Sequence, residues 1–247
     1  MTFSFYLLKG DGTPEITNLS PCCKGLYTEM TMRTSPKLLP PFEWKTQNKL
    51  IDYSDALTWM ESRVRAIQSH ENPECVWLLE HPPLYTLGTS GHERDVLDPQ
   101  GLPLFKAGRG GQVTYHGPGQ RIAYVLLDLK KRTQDTRWYV FELEAWIIQT
   151  LSHFGIKGER RKGRVGIWVQ KEGQDHKIAA IGVRIQKWVT SHGLALNVCP
   201  DLKAYRGIVP CGLSQYGVTS LADLGLSVTL KEVDQILRQT FPFKPCA

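Results

Sequence analysis

The chain has 247 residues, 30 Lys and Arg against 24 Asp and Glu, a formal charge of +6, 41% hydrophobic residues and seven Trp. That length admits one large α/β domain or two small ones, and the composition supplies a sizeable core. The charge is moderate, and the densest basic cluster, Arg160-Arg161-Lys162-Gly163-Arg164, is too short and too poor in aromatics for a nucleic-acid groove. No apolar run approaches the ~18–20 residues that span a bilayer.

Residues 1–45 are punctuated by Pro14, Pro21, Pro36, Pro40 and Pro41, and only Phe3 to Leu8 reads as a strand. They are expected to form a loosely attached extension before a single domain over 46–247, or to reflect an upstream start with Met30 or Met32 available. The six cysteines (22, 23, 75, 199, 211 and 246) show no C-x-x-C and no metal-ligand spacing. No basic segment followed by an apolar one opens the chain, so a reduced, cytoplasmic protein without metal is expected.

From Asp52, a plausible N-cap, the residues Tyr53, Ala56, Leu57, Met60, Val64 and Ile67 fall on one helical face, and Pro73 closes that region. Cys75 to Leu79 reads as a strand, and His81-Pro82-Pro83 forces an extended turn after it. Ile122 to Leu127 reads as a buried strand. A second helix spans about Arg137 to Phe154, striped by Val140, Leu143, Ile147 and Leu151, with Gly155 at its C′ position. Four strands follow, over Val165 to Gln170, Lys177 to Gln186, Trp188 to Thr190 and Gly193 to Val198. The first pair is joined by the polar turn Lys171 to Asp175. Thr229-Leu230-Lys231-Glu232 is a capping box that opens a last helix through about Gln239. Hairpin-linked strands with few helices between them imply an α/β (α+β) single domain with a mixed or antiparallel sheet flanked by helices.

One stretch stands apart: Arg109-Gly110-Gly111-Gln112-Val113-Thr114-Tyr115-His116-Gly117-Pro118-Gly119-Gln120. Glycines at this density let backbone N–H groups approach a ligand, and a loop pinned to a core strand is an expected binding site. Extended to Ala123-Tyr124, this string resembles the signature of the lipoyl(octanoyl) transferases. Further segments match in order: Leu79-Glu80-His81-Pro82-Pro83-Leu84-Tyr85-Thr86-Leu87-Gly88, Lys177 to Val183, His192 to Val198, Pro210-Cys211-Gly212, and Gly217-Val218-Thr219-Ser220-Leu221. The resemblance covers roughly residues 45 to 225.

The resemblance implies a biotin/lipoate protein ligase catalytic-domain type of fold. It also implies transfer of an octanoyl group from octanoyl-acyl carrier protein to a lysine of lipoyl domains, those of 2-oxoacid dehydrogenase complexes and glycine cleavage H protein. It places Cys211 at the family's acyl-accepting position and Lys177 as the partner that activates the thiol and shuttles a proton. No cofactor is implied. A thiol with a pKa of about 8.5 is only slightly ionised near neutrality, and a neighbouring cation corrects this. Cys199, twelve residues upstream, matches no nucleophile position.

Residues 109–116 are expected to border the substrate. Ala180, Ile181, Leu194 and Ala195 are suited to an apolar acyl slot, and Gly110, Gly111, Gly182 and Gly193 to donating N–H groups to an oxyanion. His116 either orients the loop or transfers a proton, and His192 precedes another segment that resembles a ligand-binding stretch. Arg109 either holds the loop or docks a partner. The cluster 160–164 is either a solvated loop or a docking patch for an acidic protein. Two other readings are an ATP-dependent lipoate or biotin ligase, which would not need Cys211, and a non-catalytic module that binds carrier protein.

Overall fold

The structure, a computed structural model, describes residues 42–208 and 216–243. The expected strand at Phe3 to Leu8 and the Pro210-Cys211-Gly212 motif lie outside the described residues. Strand β1 (Phe42–Leu50) runs parallel to β2 (Glu74–Glu80), with Phe42 opposite Glu74 and Thr46 opposite Leu78. The boundary read between residues 45 and 46 therefore falls inside a paired strand, and residues 42–45 belong to the sheet. The Pro40-Pro41 pair just before it masked this strand in the sequence.

Helix α1 (Tyr53–Gln68) buries Tyr53, Ala56, Met60, Val64 and Ile67, the stripe that the spacing predicts. Asp52 holds the N-cap position, but its side chain makes no cap hydrogen bond. Two short strands then leave the main sheet, β3 (Leu84–Leu87) and β4 (Leu104–Lys106). With β5 (Val113–His116) they form a second sheet in the order β4-β3-β5. None of the three was legible: β3 follows two prolines, and β5 lies inside the glycine-dense run. Strand β6 (Gln120–Leu126) returns to the main sheet.

Helix α2 (Thr136–His153) is capped by Asp135, whose carboxylate accepts from the Arg137 and Trp138 amides at 2.7 and 3.2 Å. Strands β7 (Glu159–Arg161), β8 (Arg164–Lys171), β9 (Gln174–Gln186) and β10 (Val189–Asn197) form an antiparallel meander. The β8–β9 turn is only Glu172-Gly173, with φ of 51° and 76°, and the β9–β10 turn is Lys187-Trp188, with φ of 50° and 71°. Two left-handed residues in a two-residue loop match the right-handed strand twist. Trp188 is thus a turn residue, and the two strands read on either side of His192 are one, because the register with β9 continues through His192 opposite Val183.

Strand β11 (Gly217–Val218) pairs with β9, and α3 (Leu230–Thr240) opens on the predicted capping box. There Glu232 N–H donates to Thr229 Oγ1 at 3.2 Å, and Thr229 N–H to Glu232 Oε2 at 2.8 Å. Among the described residues the main sheet has eight strands, ordered β1-β2-β6-β10-β9-β8-β7 with β11 on β9. It is mixed, as the sequence implied. Its two faces carry separate cores. Alternate residues such as Val76, Leu78, Ala123, Val125 and Leu194 pack with α2 and α3, while Trp77, Leu79, Ile122, Tyr124 and Ala195 pack with α1. Among the described residues, no helix is long and apolar enough to cross a membrane.

A buried ion pair ties this architecture together at one end. Glu74, 1% exposed, accepts from Arg132 Nη1 and Nη2 at 2.6 and 2.7 Å and from the Asp128 amide at 2.8 Å. Arg132 also reaches the Phe243 carbonyl, past the end of α3, at 3.4 Å. Arg132→Met would strand a buried carboxylate, and such losses cost about 3–5 kcal/mol. Urea unfolding of the variant should show a drop of that order; a loss below about 1 kcal/mol would mean that solvent reaches Glu74.

Candidate active site

The two sheets and the start of α1 enclose a cleft of about 500 Å³, including its open mouth. Its walls are Arg109, Gly111, Gln112, Thr114 and His116 from the glycine-dense run, Ala180 to Gly182 from β9, and His192 to Ala195 from β10. Tyr53, Ile122 and Tyr124 complete it. The three segments singled out in the sequence thus meet at one place. Within β5, Thr114 and His116 face the cleft, while Val113 and Tyr115 point the other way into a core with Tyr85, Leu87 and Ala204. Leu194 and Ile181 border the cleft, but their side chains pack in the α2/α3 core. The apolar lining comes instead from Ala180, Ala195, Ile122 and the tyrosine rings. Tyr53, Ile122 and Tyr124 were legible only as core residues, since periodicity reports burial and not what a side chain is buried against.

Arg109 is 8% exposed and serves the loop. Its Nη1 donates to the Gly110 and Gln112 carbonyls, both at 3.0 Å, and its Nη2 to Thr86 O at 3.0 Å and Thr86 Oγ1 at 2.6 Å. A Cβ on Gly182 would come within 2.7 Å of Arg109 Cδ, so only glycine lets the arginine lie across β9. Gly110 N–H donates to Val183 O at 2.9 Å, which spends one of the donors considered for an oxyanion.

From Arg109 a chain of buried hydrogen bonds crosses the site. Thr86 Oγ1 donates to His116 Nε2 at 3.2 Å, and His116 Nδ1 donates to Gln120 Oε1 at 2.7 Å. Gln120 Nε2 donates to Asn197 Oδ1 and to the Tyr205 hydroxyl, both at 2.9 Å. Asn197 Nδ2 ends the chain on Thr219 O at 2.9 Å. Both ring nitrogens of His116 are engaged, which is the loop-orienting arrangement. Its burial, with His81 and Arg109 close by, holds its pKa well below the ordinary value.

His81 donates from Nδ1 to Ile51 O at 2.6 Å and accepts from the Tyr124 hydroxyl at 2.7 Å. Burial pushes its pKa down to about 4, and burial with Arg109 and Arg184 nearby pushes that of His192 to about 3. All three rings are neutral at pH 7.

Lys177 is 7% exposed, with Nζ 5.0 Å from the Trp168 ring centroid. With Thr114, Ala179, Ala180, Asn197, Tyr205 and Val218 it lines a small cavity that shares Thr114 and Ala180 with the cleft. Val218 is its partner in the β9–β11 pair. Cys211 lies outside the described residues. Cys199 is an exposed free cysteine at the end of β10, and it is absent from the lining of both cavities. Among the described residues, no cluster of His, Cys, Asp and Glu could hold a metal.

The three arginines of the basic cluster are paired. Arg160 bonds Glu144 at 2.9 Å, Arg161 bonds Glu159 at 2.7 Å and Asp175 at 2.8 Å, and Arg164 bonds Asp175 at 2.8 Å. These arginines brace β7, β8 and the β8–β9 hairpin, and Lys162 between them is exposed.

Comparison with known proteins matches residues 52–242 to the model of the lipoyl protein ligase A/B catalytic domain. An octanoyltransferase of Paramagnetospirillum magneticum is 59% identical over 82% of this chain and 96% of its own. One from Brucella abortus is 50% identical over 93% of this chain and 88% of its own. The chain belongs to the octanoyltransferase family. It is an acyltransferase, and the sequence resemblance is upheld. A bipartite lipoate protein ligase of Thermoplasma acidophilum shares the fold, with a TM-score of 0.64 at 16% identity over 83% of this chain and 82% of that one. The crystal structure of an ATP-bound lipoate-protein ligase A gives 0.61 at 18% identity over 81% of this chain and 84% of that one. The acyltransferase thus uses the α/β fold of the ligases, with a mixed sheet flanked by helices.

The neutral histidines make stability depend on pH. A ring held below its unfolded pKa of about 6.5 contributes fully above pH 6.5, and the contribution falls as pH drops because only the unfolded chain then takes up protons. The loss ends near pH 4 for His81 and near pH 3 for His192. At pH 5 it amounts to about 2 kcal/mol for each. Denaturant midpoints measured from pH 7 to pH 4 should fall accordingly, and a flat profile would show these rings to be solvated.

Proposed function

We propose that the enzyme transfers octanoyl from acyl carrier protein to a lysine of lipoyl domains through a thioester on Cys211, with Lys177 as its proton-handling partner. The Cys211 thiolate attacks the carbonyl of the octanoyl thioester; a carbon–sulfur bond forms, the carrier's carbon–sulfur bond breaks, and the carrier thiolate leaves with a proton from Lys177. The acceptor lysine, as free amine, then attacks the new thioester. An amide forms, Cys211 leaves as thiolate, and Lys177 takes the proton of the attacking nitrogen.

The observation that carries this reading is the position of Lys177. It is a nearly buried lysine in a cavity that adjoins an apolar cleft. Tyr205, six residues before Cys211, lines that cavity, and Val218, seven residues after, pairs with Lys177. Chain length then keeps Cys211 within about 25 Å of the lysine even when fully extended. The relatives named octanoyltransferase supply the acyl group, and the ligase of T. acidophilum, described with its E2 lipoyl domain, supports lipoyl domains as acceptors. Acyl carrier protein, glycine cleavage H protein and a reducing cytoplasm follow from the same reading.

Intact-mass spectrometry after mixing with octanoyl-carrier protein should show one added octanoyl group that hydroxylamine removes. Cys211→Ser should abolish the adduct and Cys199→Ser should leave it. An adduct that survives in Cys211→Ser would move the nucleophile elsewhere. Lys177→Met should slow both half-reactions by about 10²–10⁴-fold, the usual range for a lost acid–base group.

A further inference from the structure

The lining of the cleft is not wholly apolar. Tyr53, the first residue of α1, is 2% exposed and packs edge-on against His81 and beside Phe105, with ring centroids 5.4 and 5.2 Å apart. Its hydroxyl is buried and has no hydrogen-bond partner among the described residues, and the same is true of Gln112 Oε1. The hydroxyl of Tyr124, another residue of the lining, is already given to His81. Of the residues that line the cleft, Tyr53 and Gln112 are thus the two left with an orphaned side-chain atom among the described residues. Burial pushes the Tyr53 phenol up to about 12, so it keeps its proton and can donate.

The sheet gives the length. The Lys177 cavity and the cleft meet at Ala180 and Thr114, and the row Gly182–Gly193–Tyr124 lies two residues further along β9. Two residues of strand advance about 7 Å. Seven carbon–carbon bonds of about 1.5 Å, zigzagging at near-tetrahedral angles, extend about 9 Å. An octanoyl chain whose carbonyl sits where the two cavities meet, at Ala180, therefore ends about at the row of Tyr124, in the cleft that Tyr53 also lines.

We propose that this end is a polar subsite for the last carbon of the acyl chain, with the Tyr53 hydroxyl as anchor, so that the enzyme also transfers medium-chain acyl groups that carry a terminal hydroxyl. The inference rests on the octanoyl-transfer reading, and the bonds made and broken are the same, with the substrate hydroxyl a spectator. A hydroxyl both donates and accepts, and so can pair with the Tyr53 phenol, whereas a methyl group leaves that phenol orphaned.

The test compares kcat/KM for octanoyl and 8-hydroxyoctanoyl thioesters of the same carrier protein, in the full chain and in Tyr53→Phe. The wild type should use the two within about threefold of each other, and Tyr53→Phe should shift the ratio about tenfold towards octanoyl, chiefly through KM. A 5-hydroxyoctanoyl thioester, with its hydroxyl midway along the slot, should be poor with both. An unchanged ratio in Tyr53→Phe, or rejection of the 8-hydroxy substrate by the wild type, overturns the proposal. If octanoyl itself is not transferred, the transfer reading fails. Calorimetric binding of free 8-hydroxyoctanoate against octanoate to the wild type then decides the subsite by itself, as it also does if Tyr53→Phe does not fold.

Discussion

The architecture of the cleft depends on one buried run of hydrogen bonds, from Arg109 through Thr86, His116 and Gln120 to Asn197. It is the main polar seam between the small sheet and the large one. Gln120 is its hinge: the amide has one acceptor and two donor hydrogens, and it spends them on β5, β10 and the Tyr205 turn together. Each group satisfied here would cost about 1–3 kcal/mol if left alone in the interior. The seam therefore fixes the spacing of the two walls more sharply than apolar contact could, because dispersion tolerates sliding and directed bonds do not. Gly88 and Gly182 have a matching purpose, since a Cβ on either would fall within 2.7 Å of the Arg109 side chain.

Much of this could be read from the amino acids. The helical stripes at Tyr53 to Ile67 and Leu143 to Leu151, the Thr229 capping box and the meander from β8 to β10 follow from period and turn chemistry. The cleft segments at Arg109, Ala180 and Gly193 were legible through family resemblance. What escaped was of two kinds. Short strands such as β3, β5 and β11 carry too few residues for a period to show, and they exist because a neighbour offers them a ladder. Side-chain direction was the other. Val113, Tyr115, Ile181 and Leu194 sit in the right segments, but strand alternation turns them away from the cleft. Tyr53 is the converse: an ordinary core position on α1 that becomes a wall because the second sheet packs over the helix start.

Charge shows the same limit. Arg160, Arg161 and Arg164 read as a basic patch because sequence proximity joins them, and the carboxylates that pair with them, Glu144 and Asp175, lie on other elements. An excess of +6 over the chain says nothing about where free charge resides. Three neutral histidines around the cleft point the same way. The cleft is built by withdrawing charge from it, and Arg109 is admitted only with its donors occupied by the loop and by Thr86.

The two-residue turns at Glu172-Gly173 and Lys187-Trp188 make β8, β9 and β10 neighbours in sequence as well as in space. The seam at Gln120, by contrast, joins residues 77 and 85 positions apart. Closing a short loop costs less entropy than closing a long one, and local pairing runs ahead of distant pairing during folding. The meander is thus placed to form early, with Lys177 already on its central strand, while the cleft takes shape only when the β5–β6 corner docks onto β10. The order of assembly separates Lys177 from the cleft beside its cavity, so a partly folded chain displays the lysine without yet offering the cleft.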